Sequence, residues 1–182
     1  GAAALLDYAE VGEVLVPAYS KGSSTYRRFT AAMEAAGIQT TALTETLTFE
    51  LDRAQYTVYP PERTSYPNNE DNEYSLIVGV THGENRFLFA GDALTERLGE
   101  FTALGEGTYD FLKVSNHGDY FEGVEAFFRA VSPKYAAITC SDKNPADART
   151  VSALEAVGAQ VFLTRDGSVK VTSDGRTISV LQ

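Results

Sequence analysis

The chain has 182 residues, a length that normally forms one domain with a sizeable buried core. Hydrophobic residues make up 43% and aromatic residues 11% of the sequence, which excludes an intrinsically disordered chain. The formal net charge of −10 argues against a broad nucleic-acid-binding surface, because such surfaces are basic. No apolar run is long enough to span a membrane. We predict a single domain over residues 1–182.

The first part of the chain predicts a strand, a helix and two further strands. Residues 13–17 are a short apolar run, and serine and threonine residues at the start of 23–35 are N-cap candidates for a helix. Two strands follow at 47–51 and 55–59. The polar segment 62–73 then predicts a surface loop.

The middle of the chain alternates strands and helices, the pattern of an α/β fold. It opens with a predicted hairpin of strands 74–81 and 85–90 around a turn that contains His82 and Gly83. Further strands are predicted at 110–114 and 134–140, and helices at 93–104, 124–131 and 145–157.

The end of the chain predicts a β-meander. Strands are expected at 160–164, 168–172 and 177–181. The dipeptides at 166–167 and 174–175 are both Asp-Gly, which is a strong signal for a tight hairpin turn.

Two polar residues follow the most apolar strands and are the candidate site residues. Asp92 comes after the run Phe87 to Ala90, and His117 comes after the strand that begins at Phe111. Core strands can hold such side chains rigidly as metal ligands. A simpler interpretation makes Asp92 the N-cap of the following helix and His117 an exposed or hydrogen-bonded loop residue.

The stretches Gly91-Asp92-Ala93 and Lys113-Val-Ser-Asn-His117-Gly118 resemble the second half of a metallo-β-lactamase-fold hydrolase. They are most similar to the ComEC-like hydrolase domain of DNA-uptake competence proteins, and the resemblance extends over nearly the whole chain. It implies an α/β fold, namely the C-terminal part of an αββα sandwich with a closing β-meander. It also implies that Asp92 bridges two metal ions and that His117 ligates one of them.

This sequence departs from the family pattern in three ways. Where the family often has Asn-x-Tyr-Gly-His-Pro after the next strand, this chain has Ser141-Asp-Lys-Asn-Pro-Ala-Asp147. The family's His-His-Gly-Ser turn is replaced here by Asn116-His117-Gly118-Asp119, so the first histidine is lost. The His-x-His-x-Asp-His signature of the first half of the fold is not in this chain, which has 2 histidines in total. We therefore expect the complete protein to use zinc or manganese, and this chain alone to hold no metal ion tightly.

The resemblance implies metal-dependent hydrolysis, with a phosphodiester such as DNA as the substrate of the complete protein. We expect this chain alone to be inactive. Two other functions stay open: a non-catalytic remnant that serves as a scaffold or binding module, and a ligand-binding α/β domain that shares only the fold. The loss of the first histidine of the turn favours the remnant.

Other polar residues have structural explanations. His82 is expected to be an exposed residue at a hairpin tip, and Asp147 to be an acidic residue at the start of a helix. The alternative for Asp147, shared with Asp142, is contact with a substrate or with the ligands of a metal ion. Cys140 is the single cysteine and lies in an apolar run, so it is expected to be a buried structural thiol and excludes an internal disulfide.

We predict that the chain self-associates. If the strands of the first half of the sandwich are not present, an apolar sheet face and a strand edge are left uncovered, and both promote association. Light scattering should show a dimer or larger species. A clean monomer at high concentration would contradict this prediction.

Overall fold

The computed structural model describes residues 4, 6, 8–68 and 70–182. Its main element is a seven-stranded sheet in which the strands follow one another in chain order. These strands are β3 (Leu47–Leu51), β4 (Ala54–Tyr59), β5 (Ile77–His82), β6 (Asn85–Phe89), β7 (Phe111–Lys113), β8 (Tyr135–Ile138) and β9 (Gln160–Leu163).

The sheet changes from antiparallel to parallel at β6. Strands β3 to β6 form antiparallel hairpins, and β6 to β9 pair in parallel. Parallel strands require a crossover connection, and each crossover here contains a helix: α2 (Thr95–Ala103), α3 (Val124–Val131) and α4 (Ala148–Ala156). The carboxyl ends of β6, β7 and β8 therefore lie at one edge of the sheet.

The three crossover helices pack on the same face of the sheet. Leu88, Leu112 and Ala136 are register partners on β6, β7 and β8, and all three are fully buried. They belong to one apolar cluster with Leu98 and Phe101 of α2, Phe127 and Phe128 of α3, and Leu154 of α4. Burial of this face is the main source of stability for the parallel part of the sheet.

The opposite face of the sheet carries a row of apolar residues, most of them aromatic. Register partners on neighbouring strands place Phe49, Tyr56, Val80, Phe87 and Phe111 in line across the sheet. The Phe49 and Tyr56 rings stack with centroids 5.3 Å apart. Phe49 remains 39% exposed, so this face is only partly covered. The predicted self-association stays a prediction.

The first elements form a separate strand–helix–strand unit. Strand β1 (Glu13–Pro17) pairs in parallel with β2 (Gln39–Leu43), and helix α1 (Ser24–Ala35) connects them. The side chain of Ser23 caps α1 by accepting from the backbone N–H of Tyr26 at 3.1 Å. The predicted strand and helix are confirmed. The sequence analysis missed β2.

The end of the chain differs from the predicted meander. Strand β9 lies in the seven-stranded sheet, whereas β10 (Lys170–Ser173) and β11 (Ile178–Leu181) form a separate antiparallel pair. The turn at 174–175 is a hairpin as predicted. The one at 166–167 is not, because Thr164–Asp166 is a 3-10 turn and the strands on either side do not pair.

The β10–β11 hairpin is held against the β5–β6 turn by a polar network. Ser173 Oγ lies 3.0 Å from Nδ1 of His82 and donates to Oδ1 of Asn85 at 2.8 Å. The backbone N–H of Glu84 donates to the carbonyl of Gly175 at 2.7 Å. His82 is thus partly buried and structural, and the prediction of a solvent-exposed hairpin tip is wrong.

Two predicted helices are shorter than expected. Helix α2 begins at Thr95 rather than at residue 93. Helix α4 begins at Ala148 rather than at residue 145, and Asp147 is its N-cap.

Among the described residues, no helix is long and apolar enough to cross a membrane.

Helix α2 is capped by a residue from another element. Glu73 lies in the 3-10 turn Asp71–Tyr74 and is fully buried. Its carboxylate accepts the backbone N–H groups of Glu96 and Arg97 at 3.2 and 2.9 Å, and the side-chain amide of Asn68 at 2.9 Å. The first N–H groups of a helix have no partner within the helix, and a negative charge is favourable there. The contact joins the 3-10 turn to α2.

Replacing Glu73 with glutamine should lower the free energy of unfolding by about 1–3 kcal/mol, because an amide donor then faces backbone N–H groups in a buried site. Chemical denaturation followed by circular dichroism measures this. Glu70→Gln is the matched control: Glu70 is exposed and makes no side-chain cap, so stability should change by less than about 0.5 kcal/mol. Equal stability of the two variants would contradict the capping role.

Candidate metal centre

The candidate site lies where β6, β7 and β8 end. Phe89, Lys113 and Ala137 are register partners near the carboxyl ends of these strands. The chain continues from there into the segments that carry Asp92, His117 and Thr139. Parallel neighbours bring residues from distant parts of the sequence to one edge of the sheet.

Asp92 sits in a tight turn after β6 and does not cap α2. The N-cap position of α2 is Leu94, which makes no side-chain cap hydrogen bond. The interpretation of Asp92 as a helix cap is therefore wrong. Its backbone N–H donates to Ser75 Oγ at 3.1 Å, and its side chain is 43% exposed. The carboxylate is thus available at the surface of the site.

Buried Arg97 supports the Asp92 turn through Ser75. Its Nε donates to the carbonyl of Ser75 at 3.1 Å, and its Nη2 donates to the carbonyl of Tyr59 at 2.7 Å. Arg97 is 1% exposed. Burial lowers the pKa of Arg97, and the neighbouring Glu100 carboxylate opposes that shift. The guanidinium group links α2, β4 and the segment before β5, and so fixes the hydroxyl that holds Asp92.

His117 faces Asp92 with a defined tautomer. Its Nδ1 lies 2.8 Å from the backbone carbonyl oxygen of Thr139 and 3.0 Å from Thr139 Oγ1. A carbonyl oxygen only accepts, so Nδ1 carries the proton and the Nε2 lone pair is free in the neutral ring. Nε2 lies 3.7 Å from Asp92 Oδ1. A ring held by a backbone carbonyl with its other nitrogen free is the usual arrangement of a metal-binding histidine.

The backbone of the His117 turn is strained. Asn116 has φ 41° and His117 has φ 54°, and Gly118 follows with φ 81°. The left-handed region is uncommon for residues other than glycine, and such strain concentrates at functional sites. In this turn His117 Nε2 lies 3.7 Å from Asp92 Oδ1.

Asn116 stabilises this turn from both sides. Its backbone N–H donates to the carbonyl of Gly91 at 3.3 Å. Its Oδ1 accepts from Asn72 at 3.2 Å, and its Nδ2 donates to Asp119 at 3.3 Å. Asparagine tolerates the left-handed conformation better than most residues. Asn116 therefore has a structural role in the turn.

Lys113 is a site residue that the sequence analysis did not identify. Its Nζ donates to the carbonyl of Gly91 at 2.7 Å and lies 3.6 Å from Asp92 Oδ1. Burial lowers the pKa of Lys113, and the charge of Asp92 opposes that shift. A lysine at the end of a strand is usually a solvated surface residue, so the local sequence does not indicate that Lys113 is partly buried.

The remaining candidates lie outside this cluster of contacts. Asp147 is the N-cap of α4 rather than an acidic residue within its first turn, and it pairs with Arg149 at 2.7 Å. Asp142 is exposed, and Cys140 is only partly buried. Across residues 8–68 and 70–182 no group of three or more His, Cys, Asp or Glu side chains is placed to hold a metal ion. Asp92 and His117 are the two candidate ligands that the structure brings close together, with Asp92 Oδ1 3.7 Å from His117 Nε2.

Gly118→Ala should destabilise the protein by roughly 2–5 kcal/mol, because φ is positive and a close contact must be relieved. A Cβ at Gly118 would lie 2.6 Å from Cγ2 of buried Ile138. Thermal unfolding measures this. The control is Gly99→Ala in α2, where a Cβ meets nothing within 4 Å, and stability should rise by up to about 1 kcal/mol. An unchanged melting temperature for Gly118→Ala would show that the turn is not constrained.

Comparison with solved structures supports the fold inferred from these strands and helices. The chain is similar to the CmlA beta-hydroxylase E377D mutant, with a TM-score of 0.51 and 12% sequence identity. The match covers 84% of this chain and 38% of that one. No protein-family model and no curated protein matches the sequence. The CmlA enzyme has a metallo-β-lactamase fold, so this chain has part of a metallo-β-lactamase-type α/β fold.

Proposed function

We propose that the chain forms the part of a metal-dependent hydrolase that supplies Asp92 and His117 as metal ligands. The observation that carries the proposal is the position of His117. Its Nδ1–H donates to the carbonyl oxygen of Thr139. Its Nε2, the other ring nitrogen, lies 3.7 Å from Asp92 Oδ1. A carboxylate and a neutral imidazole are both ligands that zinc and manganese accept.

The protein supplies rigidity to these two ligands. Ser75 holds the Asp92 backbone, and the strained turn that Asn116 stabilises holds His117. Ligands that are positioned by core strands and by hydrogen bonds from neighbouring residues need little rearrangement to bind an ion. A bound divalent ion would lower the pKa of a water molecule and so supply a nucleophile for hydrolysis.

The proposed substrate of the complete protein is a phosphodiester such as DNA, which is the class that the competence-protein resemblance implies. The net charge of −10 means that attraction for phosphate would have to come from the metal ions and from local cations such as Lys113. The remnant function predicts the same fold without hydrolysis, and the experiments below separate the two.

The 182-residue chain should bind Zn²⁺ or Mn²⁺ weakly, since two protein ligands do not make a tight site. Dialysis should remove the ion. Asp92→Asn and His117→Gln should each weaken Mn²⁺ binding at least tenfold, measured by the electron paramagnetic resonance signal of free Mn²⁺. His82→Gln is the control. His82 is the last residue of β5, whereas Ser75, which contacts Asp92, precedes the first residue of that strand. The His82 ring contacts Ser173 instead. A stoichiometric ion that resists chelators would show that further ligands complete the site.

Hydrolysis is tested in a polypeptide that joins this chain to a segment with the His-x-His-x-Asp-His motif. It should cleave a generic phosphodiester with added Mn²⁺ or Zn²⁺. Asp92→Ala should remove most of this activity and His117→Ala should lower it, whereas His82→Ala should leave it within about twofold, well under 1 kcal/mol in barrier height. If the joined protein is inert, or if Asp92→Ala leaves the rate unchanged, the remnant function is correct.

A further inference from the structure

Strand β3 forms one edge of the seven-stranded sheet. It pairs with β4 on one side, and among the described residues no strand pairs with its other side. Its residues from Thr48 to Leu51 are all exposed. The unpaired N–H and C=O groups of an exposed edge strand are a template for another strand.

Strand β3 lacks the features that normally protect an edge. Proteins blunt edge strands with proline, lysine or a β-bulge. Residues 47–51 contain no proline or lysine, and their register with β4 is unbroken. The opposite edge strand, β9, differs, because the carbonyl of its last residue, Leu163, accepts from the side-chain amide of Gln182. The free edge of β3 is therefore the place where the sheet can be extended.

The turn between β3 and β4 determines which backbone groups of β3 point outward. Leu51 and Ala54 are register partners on either side of a two-residue turn, and such partners bond to each other through their backbones. Hydrogen-bonded and non-hydrogen-bonded pairs alternate along an antiparallel ladder. Phe49 therefore also bonds to β4, whereas the N–H and C=O groups of Thr48 and Glu50 point away from it.

We propose that two copies of this chain pair through β3 in antiparallel orientation, with Phe49 of one copy opposite Phe49 of the other. A twofold axis at Phe49 brings Thr48 opposite Glu50 of the second copy, so the outward N–H and C=O groups of both residues are satisfied. Such a contact is isologous, because both copies use the same patch. The inference is independent of the proposed metal ligands, which follow β6 and β7.

The side chains of β3 fit this register. Leu47, Phe49 and Leu51 lie on one face of the strand, so Leu47 faces Leu51 of the second copy on either side of the Phe49 pair. In a non-hydrogen-bonded pair the Cα atoms are about 4.5 Å apart, which brings the two Phe49 side chains into contact. Glu50 is the charged residue of β3, and it lies opposite Thr48 rather than opposite another carboxylate.

The pairing also extends the apolar row on the open face of the sheet. Phe49 stacks on Tyr56 with ring centroids 5.3 Å apart and is 39% exposed. In the paired form the row of one copy continues into that of the other across the two Phe49 rings. Removal of this apolar area from water favours association. A second copy of the chain therefore matches the edge in both its backbone and its side chains.

The test is sedimentation equilibrium of the 182-residue chain over a range of concentrations. The unmodified chain should form dimers, and a monomer would overturn the inference. Phe49→Lys and Phe49→Glu each place like charges opposite each other, and each should weaken the dimer by about tenfold or more. An equimolar mixture of the two variants pairs opposite charges and should dimerise about tenfold more tightly than either variant alone. No gain in the mixture would also overturn the inference.

Phe89→Lys is the matched control for the apolar face. Phe89 is 40% exposed on the same face, but it lies on β6, three strands or about 14 Å from β3. This variant should dimerise like the unmodified chain. If Phe89→Lys weakens the dimer as much as Phe49→Lys does, association uses the face of the sheet rather than its edge, and the inference is wrong.

A second pair of variants tests the backbone hydrogen bonds, and it replaces the first pair if circular dichroism shows that the Phe49 variants do not fold. Thr48→Pro removes an outward N–H group and leaves the ladder to β4 intact, so it should weaken the dimer about tenfold. Thr48→Val keeps that N–H group and should dimerise like the unmodified chain. Both variants lose the hydroxyl that donates to Thr57. Equal dimerisation of the two would exclude pairing through this edge and leave it for a different partner.

Discussion

The parallel pairing of β6, β7 and β8 is the constraint on which the candidate site depends. Residues that follow β6, β7 and β8 are far apart in sequence, and only this pairing places them at one sheet edge. The pairing is held by burial of Leu88, Leu112 and Ala136 beneath the crossover helices. A shift of one residue in register would turn the side chains of that strand to the other face. The distance between Asp92 and His117 is therefore a consequence of core packing.

Polar contacts at the edge of the core fix the positions of the two turns that carry Asp92 and His117. Glu73 caps α2, and Arg97 at the start of that helix holds the segment with Ser75, which in turn holds Asp92. On the other side, Asn116 bridges the His117 turn to Asn72. Buried polar groups that are fully paired rigidify their surroundings. The two candidate ligands are thus held from two directions, by α2 and by the 3-10 turn that precedes β5.

The charges of the candidate site are balanced by contacts within the protein. A carboxylate beside a partly buried lysine is electrostatically favourable on its own. Asn116 stabilises the neighbouring turn by accepting from Asn72 and donating to Asp119. Each of these side chains therefore has a partner within the protein.

The sequence by itself determined the α/β class and most of the strands and helices. It also determined that Asp92 and His117 follow two successive apolar strands. Local apolar runs and turn residues carry this information because they report which segments are buried. It did not determine what these residues contact. The burial of Lys113, the Glu73 cap and the separate β10–β11 pair depend on residues distant in the chain. A Gly-Asp turn is equally compatible with a helix cap and with a ligand position, and only the start of α2 at Thr95 excluded the cap. Tertiary structure decided these points because register and helix packing, not local propensity, set the distances between side chains.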